Sequence, residues 1–149
     1  MSDQGIDVIV SRYIHEGKQF ADDKSSAVLT VARVGRPQDR GALDFGGSEY
    51  AETNVVWIEP SKERPDDKHG WWRLAGGSYV VEFNERLSVS EYGGGVLLHV
   101  WAPALRAGVS HPSELITVDR DPVRTIVTVG SQGLAIKENA RLSQISLLG

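Results

Sequence analysis

The segment Val118-Asp119-Arg120-Asp121-Pro122-Val123-Arg124-Thr125 packs two carboxylates and two guanidiniums into a short stretch. Guanidiniums can grip the oxygens of a bound nucleotide, and a carboxylate held in place can move a proton. The same aspartates also suit a polar hairpin tip, where the side chain bonds its own backbone. His15, His69, His99 and His111 lack a paired metal spacing such as His-x-His or His-Glu-x-x-His, so no metal site is expected. His99 reads as a satisfied strand histidine. Gly93-Gly94-Gly95 has no Lys-Ser or Lys-Thr behind it and reads as a hairpin turn. Trp71 and Trp72 could stack a base, but strand alternation more readily turns one to the core and the other to an interface. No Gly-x-Ser-x-Gly occurs.

The chain that must position these groups has 149 residues, a size that suits one domain spanning residues 1–149. A net charge of −4 argues against a nucleic-acid surface, which needs a dense cationic face. With no cysteine, disulfides, thiolate metal sites and a cysteine nucleophile are excluded. Asp3 and Asp7 stand where a signal peptide would be basic, and no apolar run nears the length of a membrane span. The expectation is a soluble, cytoplasmic protein.

Short β-branched runs recur at Val28–Val34, Val55–Ile58, Gly77–Phe83, Val96–Trp101, Leu115–Val118, Thr125–Val129 and Gln144–Leu148. Gly35 and Pro37 close the first run, and a polar loop fills 61–70. Such spacing predicts an all-β sandwich or barrel. One helix is expected near the N-terminus, capped by Ser11 and ended by Gly17.

Four segments, in order, resemble the dUTPase and dCTP deaminase superfamily. Ile9-Val10-Ser11-Arg12-Tyr13-Ile14-His15-Glu16-Gly17-Lys18 resembles its opening strand and Glu-Gly-Lys close. Ala42-Leu43-Asp44-Phe45-Gly46-Gly47 is similar to Ser-Leu-Asp-Leu-x-Leu-Gly. Tyr79-Val80-Val81-Glu82-Phe83-Asn84-Glu85 is close to Tyr-x-Val-x-Phe-Asn-Glu, the most specific of the four. Lys137-Glu138-Asn139-Ala140-Arg141-Leu142-Ser143-Gln144-Ile145 resembles the closing Asn-Ala-Arg-x-Ala-Gln-Leu. The resemblance implies a distorted β-barrel of the β-clip type, a homotrimer, and a deoxyribonucleoside triphosphate bound with magnesium through its phosphates.

The resemblance further implies Asp119 as the base of a dUTPase, with Asp121 able to take its place, and Arg106, Arg124, Arg141 and Gln144 as substrate ligands. The chain departs from the family in four places. Trp101-Ala102-Pro103 stands where Arg-Ser-Ser would supply phosphate donors. Pro122 replaces the sugar-stacking tyrosine region, and Val129 falls where a deaminase has its glutamate base. The glycine-rich tail that closes over nucleotide in many dUTPases is expected to be missing after Gly149. Valine cannot shuttle a proton, so deamination is the weaker chemistry. Two functions remain: hydrolysis of dUTP to dUMP and pyrophosphate, or a non-catalytic homotrimer that binds nucleotide or a protein partner. A cupin-like barrel is disfavoured by the lack of clustered histidines.

Overall fold

The computed structural model describes residues 5–148. After a 3₁₀ turn at Ile6–Val8 come β1 (Val10–Ser11), α1 (Glu16–Gln19), β2 (Ser26–Pro37), β3 (Val55–Ile58), β4 (Trp71–Leu74), β5 (Gly77–Phe83) and β6 (Arg86–Leu87). Then follow β7 (Val96–Val100), α2 (Ala102–Ala107), β8 (Val109–Ser110), β9 (Glu114–Ile116), β10 (Arg124–Val129), β11 (Leu134–Lys137) and β12 (Arg141–Leu147). The expected all-β architecture is present as a curled antiparallel sheet ordered β8-β10-β5-β2-β12-β7-β9, with β3 also on β2. Two small ribbons, β1–β6 and β11–β4, stand beside it.

β2 organises the fold because its two halves belong to different neighbourhoods. Ser26 to Thr30 pair with β12, whereas Val31 to Gly35 pair with β5. The register slips between Val31 and Arg33 on one side and between Arg141 and Ser143 on the other. Such bulges raise local twist and let one sheet curl. Leu29, Val31, Val34, Val81, Leu98, Val127 and Ile145 fill the enclosed core. Large apolar side chains removed from water in this way supply the main drive for folding.

Several sequence expectations are corrected. β2 runs through Gly35 to Pro37 instead of stopping before them. A Cβ at Gly35 would overlap Val55 and Trp57, so glycine is what lets β3 lie against β2. The N-terminal helix is a single turn capped by His15, whose Nδ1 accepts from the Lys18 backbone N–H. Ser11 pairs with Arg86 in β1–β6, Arg12 adopts φ 61°, and Gly17 lies inside the turn. A second helix, α2, was not expected. Its signals are Pro103 in the first turn and Gly108 as a left-handed cap. β4 and β11 were also missed, and each supplies the other's partner strand. Within β4, Trp72 is buried and its Nε1 donates to Ile58 O at 2.7 Å, while Trp71 is half-buried.

Candidate functional site

The stretch before β10 is tied to β6 by a two-way backbone bridge. Arg120 N donates to Leu87 O at 2.9 Å and Leu87 N to Arg120 O at 3.0 Å. This brings Asp119 beneath the turn at 89–92. Its Oδ1 accepts from Ser90 N at 2.9 Å and Val89 N at 2.7 Å, and Ser90 Oγ sits 3.4 Å from Oδ2. Those donors, the Ser90 N–H foremost, hold the Asp119 carboxyl below the usual carboxylate range. A carboxylate stabilised as the anion is a poor proton acceptor. Asp121, next along, meets Arg12 Nη1 at 3.1 Å and Arg86 Nε at 4.0 Å. One aspartate therefore ties a turn and the other balances two guanidiniums.

The expected ligands are dispersed. Arg124 donates from Nε to Glu82 at 2.9 Å, and Arg33 grips the same carboxylate through Nε at 2.8 Å and Nη2 at 3.1 Å. Register explains the triplet: Glu82 faces Arg33 on one side and Arg124 on the other. Partial burial pushes the Glu82 carboxyl up, but the two guanidiniums prevail and it ends below its ordinary value. Both arginines also lie over the Trp57 ring, at 3.8 Å and 5.2 Å from its centroid. Arg106 is exposed in the last turn of α2. Gln144, half-buried on β12, donates to Ser146 Oγ at 3.3 Å. Arg141 lies 4.5 Å over Trp101 and donates from Nη1 to Lys18 O at 3.1 Å. Arg124 borders a groove of about 720 Å³ and Arg141 a different cavity of about 470 Å³. Among the described residues, no hydrogen bond or ion pair joins any of the six proposed site residues to another.

Val129, where the resemblance would put a deaminase base, is buried between Gly77 and Val109 as a core side chain. Ala102 and Pro103 begin α2 and bring no side-chain donor.

Glu85, Asn84 and Asn139, quoted above only as motif residues with no role, form a polar centre. Glu85 is 1% exposed and accepts from Thr30 N at 2.8 Å, Thr30 Oγ1 at 2.5 Å and Gln19 Nε2 at 2.9 Å. Asn84 Nδ2 reaches Thr30 Oγ1 at 3.0 Å and Asn139 Oδ1 at 2.9 Å, extending the network to the start of β12. Burial raises the Glu85 carboxyl above its ordinary range despite these donors. Its signal in the sequence was a glutamate set between the apolar residues of β5 and Leu87. Elsewhere on β12, Ser143 Oγ meets His111 Nε2 at 2.7 Å, and burial lowers the His111 pKa.

A solved structure matches over 93% of this chain, with a TM-score of 0.58 and 12% identity. The chain has the dUTPase-like fold. The matched protein is 2′-deoxycytidine 5′-triphosphate deaminase from Agrobacterium tumefaciens, and the match covers 43% of that chain, less than half its length. No protein-family model matches the sequence, and no curated protein matches it.

Proposed function

We propose that this chain is a non-catalytic protein of the dUTPase-like fold that binds a deoxyribonucleoside triphosphate and assembles as a homotrimer. The observation that carries the reading is the state of Asp119. Its Oδ1 takes two backbone N–H groups, and its pKa is lowered, whereas a general base works best with a pKa nearer neutrality. Asp121 faces two guanidiniums, which compete with a magnesium ion for its oxygens. Magnesium would enter on the triphosphate itself.

The competing reading, hydrolysis of dUTP with Asp119 as base, is tested by the same assay. Wild-type protein is incubated with magnesium and dUTP or dCTP, and pyrophosphate and ammonia are measured. Neither product is expected above the no-protein background. Pyrophosphate release that Asp119→Asn abolishes, in a folded variant, would restore the hydrolase.

A further inference from the structure

The chain is net acidic, yet the cavity of about 470 Å³ between α1, the start of β12 and the β7–α2 junction is bordered by basic side chains. His15, Lys18 and Arg141 line it, together with Asn139 and Trp101, and no acidic residue does. Glu85 stays behind the wall, bonded to Gln19 and Thr30, which themselves border the space. Gln19 and Thr30 are thereby already satisfied, and the four other polar side chains at the rim, His15, Lys18, Asn139 and Arg141, are left as donors. His15 Nδ1 accepts from Lys18 N, which places the ring proton on Nε2 in the neutral form. Asn139 uses its Oδ1 on Asn84, leaving its amide N–H groups without a partner among the described residues. Lys18 and Arg141 form no ion pair among the described residues. The Arg141 guanidinium is held over Trp101 and tethered by Lys18 O, with its other N–H groups still to be used. A planar donor fork fixed in advance loses little freedom on meeting a planar or tetrahedral oxyanion.

A rim made of donors, with no carboxylate to neutralise it, selects a ligand rich in acceptor oxygens and negative charge. We propose that this cavity is an oligophosphate site, with Lys18 and Arg141 as its principal ligands and His15 and Asn139 as supporting donors. It deepens the nucleotide-binding reading above and rests on that reading only for the nucleotide as source, because inorganic oligophosphate offers the same chemistry.

The test is calorimetric titration of the whole chain with inorganic tripolyphosphate and, separately, with dUTP, without magnesium. Lys18→Ala, Arg141→Gln and, as a control on the 61–70 loop, Lys62→Ala are compared after circular dichroism shows each folded. Removing one charged donor should weaken both ligands about tenfold or more, with Lys62→Ala unchanged. Equal affinity for the two ligands assigns the site to the phosphates alone, and tighter dUTP binding with the same losses assigns it to a nucleotide. Binding that Lys18→Ala and Arg141→Gln leave unchanged, or absence of tripolyphosphate binding at millimolar concentration, overturns the site. Turnover of dUTP would overturn the non-catalytic reading and leave the oligophosphate site standing.

Discussion

At the scale of single residues, charge in this protein is spent on structure. Glu85 satisfies three donors in a place closed to water, so truncation strands all of them. Glu85→Ala should destabilise the chain by roughly 3 kcal/mol or more, read from urea unfolding. Less than about 1 kcal/mol would mean the network relaxes without it. His111 gives the pH dependence. Its pKa is lowered by burial, with the Pro112 carbonyl opposing and His99 adding repulsion. The unfolded chain therefore binds a proton more readily than the folded one, so this stability is complete above about pH 6.5 and drains as pH falls below it. Between about pH 6.5 and 5, His111→Gln should flatten the decline in Tm relative to wild type. Unaltered slopes would show that His111 does not set the pH dependence. Glu85 has the opposite sign: its folded pKa is raised, so its contribution shrinks as pH rises through the ordinary carboxyl range near about 4.3.

At the scale of elements, the presence of the longer strands was legible and their terminations were not. Val28–Val34 and Gly77–Phe83 announce themselves by β-branched runs. Gly35 and Pro37 looked like stops because glycine and proline usually are. Here a missing Cβ is what β3 needs in order to approach, a demand set by a partner strand rather than by neighbours in sequence. β4 and β11 were invisible for a related reason, since each is stabilised by a strand far away in sequence. α2 follows a strand without a polar cap, and only Pro103 and Gly108 mark it. Gly108 has φ 114° and open space where a Cβ would sit, so its role is backbone conformation alone. Gly108→Ala should cost about 1 kcal/mol, seen as a Tm lower by about 2–4 °C. No change would show that α2 ends equally well in another conformation. The candidate site was legible as a set of residue types but not as a place. Asp119, Arg124 and Arg141 were all singled out, yet each has a local structural partner that only the three-dimensional register reveals.

At the scale of the whole molecule, the segment between β2 and β3 leaves Leu43 89% and Phe45 109% exposed, with Tyr50 also open to solvent. Apolar side chains gathered this way on an otherwise polar surface are suited to burial by another copy. Light scattering after size exclusion should give three times the mass of one chain, and the Leu43→Ser, Phe45→Ser double variant should give one. A wild-type monomer at micromolar concentration would contradict the trimer. In the dUTPase-like fold the trimer would set the surroundings of the oligophosphate cavity, but the donors that line it come from one chain.

The scaffold is proposed to bind without reacting, and the most direct measurement of that is product release from dUTP and dCTP with magnesium, for wild type and Asp119→Asn. The expected result is no pyrophosphate or ammonia above background from either protein, and a lower Tm for Asp119→Asn because the 89–92 turn loses part of its anchor. Steady turnover by the wild type that disappears in a folded Asp119→Asn variant would contradict it.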